Sequence, residues 1–315
     1  MNLLSLSIPR LAIIAATLLS AMVPVCAAPE QPHPVKPMLW KVEGPGLEKP
    51  SYLFGTIHVG GKAVVTLHPA AEKAFEAATA LHTEAAMDMK SQLASMKDMM
   101  RTDGKMLDAS IGEDLAKRFE AELKKINPEL NAAPFQPMKT WLVAYMIPFL
   151  PEQMKGIKPL DMVLWERAEK TGKTTAGMQE SKDQVAGFNQ LTEDEQIALL
   201  KSTLDSLDKD RRAGRDRMKE AAELYVAGDP DKLDAFATES LAELTGGKEG
   251  PLAEKLTKSI LKDRDVIMAA YIAAALKKNP EEVHFFAAGA AHYASADSVR
   301  SMLEKDGYKI TRIEE

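Results

Sequence analysis

Thiols are almost absent from this chain. Cys26 is the single cysteine among 315 residues, and it lies in an N-terminal stretch that reads as a removable leader. A chain cut after Ala27 keeps no cysteine, which excludes a disulfide framework, a thiol nucleophile and a thiolate metal site. A basic excess is missing too. The 40 Lys and Arg against 46 Asp and Glu leave a formal charge of -6. Nucleic-acid binders carry a basic balance or a basic stripe, so that class of partner is not expected. Nor is there an apolar run of the ~20 residues that a membrane-spanning helix needs. The runs LAIIAATLLS (residues 11–20) and WLVAYMIPFL (residues 141–150) both fall short, and the second contains Pro148. It reads as a buried helix, with an exposed docking face as the alternative. No internal repeat of fixed period is visible.

The N-terminus has the pattern of a secretory signal peptide over residues 1–27. Met1 and Arg10 supply positive charge, residues 11–20 an apolar core, and Val25-Cys26-Ala27 small residues ahead of a cut. A retained anchor is the competing reading. Cleavage removes one positive charge, Arg10, and takes the net charge from -6 to -7. The expected location is the periplasm or the cell exterior. Cys26 could instead accept a lipid and tether the chain to a membrane, although Val25 is bulky where such sites carry a small residue. APEQPHPVKP (residues 28–37) is proline-rich and reads as an extended tether with His33 solvated. Residues 38–315 form the remaining domain.

Within it, MLWKVEG (38–44) and SYLFGTI (51–57) read as strands joined by a turn into a hairpin. HPAAEKAFEAATA (68–80) is a helix with Pro69 in its first turn, followed by the short strand ALHTEAA (80–86). Strand, helix, strand is a crossover unit. Residues 87–155 are helical in pattern. PLDMVLWERAEKTGK (159–173) is a helix with Leu160, Val163, Leu164 and Ala168 on one face and Gly172 at its end. TTAGMQE (174–180) is a strand. Residues 181–278 are helical, with Thr192 and Glu195 forming a capping box and breaks at Gly228-Asp229-Pro230 and Gly246-Gly247. A strand (283–289), a helix (295–307) and a last strand (308–314) complete the chain. The expected fold class is α/β: a mixed sheet with helical crossovers and a large helical insertion.

Two strands end in the same device. YLFGTIH carries Gly55-x-x-His58, and FFAAGAAH carries Gly289-x-x-His292. Two other strands end at Glu84 and Glu180. Sites in crossover sheets collect beyond the strands' carboxyl ends, so parallel neighbours would bring two imidazoles and two carboxylates to one edge. The glycine three residues before each histidine permits close backbone approach or a positive φ. Imidazole and carboxylate are the usual ligands of zinc, manganese and cobalt. Such an ion bound by His58, His292 and Glu84 would activate water, and the other glutamate could serve as general base. The competing reading makes both histidines structural strand-end residues.

The chain resembles the TraB/GumN family, which includes GumN and PrgY-like proteins and is related to the animal Tiki proteases. The segments that carry the resemblance are YLFGTIHVG (52–60), HTEAAMD (82–88), LDMVLWERAEKTGK (160–173), GMQESKDQVAGFNQL (177–191), LYVAGD (224–229), LKDRDVIMAAYI (261–272) and the region 285–310. They cover nearly all of residues 38–314, in order and at similar spacing. The resemblance implies a fold of the Tiki, ChaN and erythromycin-esterase-like type. It also implies a hydrolase dependent on manganese or cobalt, acting on a peptide or a small amide or ester. It carries His58 and His292 over as motif histidines, Glu84 and Glu180 as acidic strand ends, and Gln184 and Arg264 as further polar positions. The last two could orient a carbonyl or stabilise an oxyanion; otherwise they are a surface residue and a buried ion pair. The chain departs from the family where Met178-Gln179-Glu180 replaces a Leu-Glu pair, where Asp265 follows Arg264 in place of Asn, and where Tyr293-Ala294-Ser295 follow His292. A metal-independent esterase-like hydrolase and a non-catalytic ligand or peptide binder remain alternatives.

Two further features need weighing. Met89, Leu93, Met96 and Met100 recur at helical spacing and read as an adaptable apolar helix face rather than a Cu(I) site; a mobile cover over the site is a sub-hypothesis. His82 lies two residues from Glu84, on the same face of an extended strand, and could join the site.

Overall fold

The computed structural model describes residues 33–247, 250–295 and 297–315. The expected leader, residues 1–27, and the first part of the expected tether lie outside the described residues. Residues 33–37 lie against the fold: the Val35 N–H donates to the Val226 carbonyl at 2.7 Å, and Pro34 and Pro37 are buried. His33 is half-buried, its ring 5.2 Å from that of His68 in an edge-on pair.

One mixed sheet holds six strands: β1 (Leu39–Glu43), β2 (Ser51–Thr56), β3 (Ala80–Ala85), β4 (Thr174–Gln179), β5 (His284–Gly289) and β6 (Lys309–Ile313), in the order β4-β3-β5-β2-β1-β6. The short turn after β1 allows only an antiparallel partner, and β1 pairs in that sense with β2 and β6. The pairs β2–β5, β5–β3 and β3–β4 are parallel, which requires long helical crossovers between them. β5 sits among parallel neighbours, and every residue from His284 to Ala288 is buried. That is why its sequence is a continuous apolar run rather than an alternation.

Helix Pro69–Ala77 starts where Pro69 predicts, and His68 caps it: its Nδ1 accepts from the Ala70 N–H at 3.2 Å. Phe75 from this helix meets Phe285 edge-on, ring centres 5.5 Å apart, within a core that also holds Leu53, Leu81 and Phe286 of the sheet and Leu164, Ile272 and Leu303 from three later helices. Each such fully buried large side chain contributes roughly 1.5–3 kcal/mol by leaving water. A second core is wholly helical and is built from Leu107, Phe119, Trp141, Val143, Leu200 and Leu204. The large insertion therefore has its own packing. The run 141–150 turns one side into that core, with Trp141, Leu142, Val143, Ala144 and Ile147 buried, and leaves Tyr145 exposed. No described helix is long and apolar enough to cross a membrane.

The methionine stripe forms an apolar helix face that is largely exposed. Helix Met89–Met99 has no buried residue, and Met89, Leu93 and Met96 face solvent. Only its end, Met99 and Met100, packs on the helical core. Spacing identified the stripe but could not say whether anything lay opposite it.

Candidate functional site

Because β2, β3, β4 and β5 run parallel, their carboxyl ends share one edge of the sheet. β2 delivers His58, β3 Glu84, β4 Gln179 and β5 the short turn bearing His292.

Glu84 is at the centre. Its side chain is only 8% exposed and pairs with the Arg264 guanidinium. The Gly289 N–H donates to its Oε1 at 2.6 Å, and the Gln184 amide lies 3.5 Å from its Oε2. A methyl group on Gly289 would sit 3.1 Å from that same Oε1. The glycine of the second motif thus keeps space open for a carboxylate. Neither Gly289 nor Gly55 takes a positive φ, so close approach is the reason for both. Burial alone would raise the Glu84 pKa. Arg264, His292, His58 and the Gly289 N–H outweigh it and hold the carboxyl well below the usual carboxylate range. Glu84 is therefore an ionised carboxylate and a poor base.

His292 is buried, with Nδ1 2.6 Å from Asp265 Oδ1 and Nε2 3.9 Å from Glu84 Oε1. His58 repeats the arrangement at the other strand. Its Nδ1 lies 3.2 Å from Asp161 Oδ2, and the Thr56 hydroxyl donates to Asp161 Oδ1 at 2.5 Å. In the neutral ring, an Nδ1–H donated to a carboxylate fixes the tautomer and leaves the lone pair on Nε2. Half of the His58 side chain is exposed. Desolvation works against charge on the ring, but Tyr145, Asp161 and Glu84 outweigh it and hold its pKa above the ordinary 6.5. The Gly-Gly pair after His58 has its own reason. A Cβ on Gly60 would fall 2.1 Å from Ile157 Cγ2, so only glycine lets the 157–158 segment close over the loop beside the histidine.

The structure brings Glu84, Gln184, Arg264 and His292 into contact and places His58 near enough to act on the Glu84 charge. It does not bring in Glu180. β4 ends at Gln179, and Glu180 is the N-cap of helix Ser181–Asn189, its side chain 72% exposed and paired with Lys182. Gln179 points inward instead and accepts from Arg264 Nε at 3.1 Å. Adjacent residues of a strand face opposite ways, so a one-residue difference decides which enters. Arg264 is committed to Glu84, to Gln179 and to the Ile260 carbonyl, the arrangement of a buried ion pair. His82 stays out as well: it bonds His284 and Tyr271 and stacks on Phe286.

The sequence assigned no role to Asp161 or Asp265. Each heads an apolar stripe at i, i+3, i+4 and i+7: Asp161 with Leu164, Trp165 and Ala168, and Asp265 with Met268, Ala269 and Ile272. An aspartate in the core-facing row of a helix was the available signal, since a buried carboxylate needs a partner.

In chemistry this donor set fits a divalent cation. Two imidazoles are oriented from behind by carboxylates, and an ionised glutamate lies beside one of them. Among the described residues no three His, Asp or Glu side chains are gathered closely enough to enclose an ion without moving.

The fold and site together define an α/β protein with ligand-type and acid–base side chains at the carboxyl edge of its sheet. The chain belongs to the TraB/PrgY/gumN family, which residues 38–312 match. It is 25% identical over 325 residues to Metalloprotease TIKI2 of Danio rerio, covering 90% of this chain and 62% of that protein. A Metalloprotease TIKI homolog of Nematostella vectensis is 25% identical over 302 residues, covering 83% and 64% of the two chains. Human Metalloprotease TIKI1 is 22% identical over 324 residues, covering 90% and 63%. The chain thus spans about three-fifths of the length of these curated relatives. No solved structure matches it.

Proposed function

We propose that this protein is a metal-dependent hydrolase of peptide bonds. The observation that carries the reading is the matched pair of aspartate-anchored histidines, His58 on Asp161 and His292 on Asp265, flanking Glu84. The relatives named as metalloproteases support it. His58 and His292 would hold the cation through Nε2, and Glu84 through a carboxylate oxygen. When bound, manganese, cobalt or zinc supplies electrophilic activation of the scissile carbonyl and of the attacking water. Asp161 and Asp265 keep both rings aimed and strengthen them as donors. Arg264 and the Gly289 N–H keep Glu84 ionised, which suits a ligand and not a base. The N-terminal apolar segment supports export to the periplasm or beyond.

Metal analysis of the purified mature protein tests the reading. The wild type should carry one divalent ion, and His58→Ala and His292→Ala should each lose it. Manganese binding by His58→Ala as tight as by wild type would refute it.

One observation favours a second reading. Among the described residues no three donors are gathered to hold an ion as they stand, whereas His58 and Asp161 already form a hydrogen-bonded pair. In that arrangement His58, in its neutral form, would accept a proton from water directly; because its pKa is raised, such activity should grow as pH rises. Hydrolysis that survives exhaustive chelation selects it.

A further inference from the structure

We propose that the site has a second compartment, a pocket in the helical layer that holds an apolar residue of the same peptide presented to His58. This proposal rests on the peptide-hydrolase reading. The depression at His58 measures about 210 Å³ and the pocket beside it about 460 Å³. Tyr145, Phe149 and Glu152 line both, and the Tyr145 and Phe149 rings, 5.5 Å apart, form the shared wall. The two spaces therefore lie side by side across that wall. The larger one falls within the roughly 300–1,000 Å³ of ordinary ligand pockets, and the smaller one does not.

The lining chooses the occupant. Leu207, Met218, Phe236 and Leu244 give the pocket an apolar interior. The charged part of the lining is internally paired. Arg217 already meets Asp210 and Glu243, Arg215 meets Glu220 and Glu239, Arg211 meets Glu122 and Asp208, and Lys155 meets Glu152. Each of these four cations has a carboxylate partner, so an incoming carboxylate finds no free counter-ion there. A neutral apolar side chain gains by leaving water for the apolar interior, and a Phe or Leu residue of an extended peptide supplies one.

The test uses acetylated and amidated alanine–serine peptides, each with one phenylalanine at a different position, and the same peptide without phenylalanine. Binding is measured by titration calorimetry to the full chain carrying His58→Ala, so that turnover does not interfere. At the right position phenylalanine should tighten binding by about 10- to 100-fold, the worth of burying one such side chain. Leu207→Trp fills the pocket and should abolish that advantage. Phe236→Ala, which removes one apolar wall of the pocket, should reduce the same advantage by about three- to tenfold. Equal binding of all peptides, or an advantage untouched by Leu207→Trp, overturns the second compartment. Tighter binding when a terminal phenylalanine carries a free carboxylate overturns the assignment to a neutral residue. Metal analysis and turnover judge the hydrolase reading separately. Its failure leaves this binding test readable, and a missing phenylalanine advantage with turnover intact sinks only the compartment.

Discussion

Acid should destabilise this protein through His82, a histidine outside the site. The ring is 6% exposed on β3. Its Nε2 lies 3.0 Å from His284 Nδ1, its Nδ1 3.0 Å from the Tyr271 hydroxyl, and it stacks 4.7 Å from Phe286. Among the described residues no carboxylate forms an ion pair with His82; Glu282 lies 3.9 Å from the Nε2 of its neighbour His284. Burial, followed by the repulsion of His284, pushes the His82 pKa from 6.5 down to about 3. Between those values the unfolded chain binds a proton that the native state refuses, so stability rises with pH across the window and is lost as pH falls. At about 1.4 kcal/mol per pH unit below the unfolded pKa, moving from pH 7 to pH 5 costs about 2 kcal/mol through this group alone. His82→Gln removes the titration while leaving a hydrogen-bonding group beside His284. Urea unfolding of both proteins at pH 7, 6 and 5 reads the difference in slope, which is insensitive to any constant cost of the substitution. Wild type should lose about 2 kcal/mol more than the variant between pH 7 and pH 5. Parallel slopes would refute the reasoning, because they would mean that the native state takes up the proton at His82 as readily as the unfolded chain does.

Arg264→Ala strands the Glu84 carboxylate, whose side chain is 8% exposed, and should cost about 3–5 kcal/mol in urea unfolding. Adding Glu84→Gln to it should restore part of that loss, and a single-variant cost below about 1 kcal/mol would show the pair to be solvated. Gly289→Ala places a methyl 3.1 Å from Glu84 Oε1 and should cost about 1–3 kcal/mol; it should also weaken manganese binding measured by calorimetry. Glu180→Ala should leave metal content unchanged and cost at most about 1 kcal/mol of helix-cap stability. A loss of metal in that variant would return Glu180 to the site.

The sheet was legible because each strand carries its own local signal. The hairpin turn at residues 45–50, the crossover helix opened by Pro69 and the continuous apolar run before Gly289 fix the order of elements, and the order fixes which strands lie parallel. Parallel strands then bring His58, Glu84 and His292 to one edge without further information. What stayed hidden is every contact that joins distant segments at the level of single side chains. Local pattern placed both Gln179 and Glu180 at the end of β4, and only the point where the strand gives way to a helix cap decides which faces Arg264. His82 and His284 are 202 positions apart, and nothing near either residue names the other. Asp161 and Asp265 stand between these cases. Each sits in the core-facing row of its helix, and a carboxylate there must find a donor or make burial of that row unfavourable. Two such aspartates and two glycine-preceded histidines are matched in number, and the structure pairs them one to one, His58 with Asp161 and His292 with Asp265. The inference available from sequence alone is therefore narrower than a site but firmer than a motif. A strand-end histidine acquires a directed Nε2 when a helix elsewhere in the chain spends a core position on an acid.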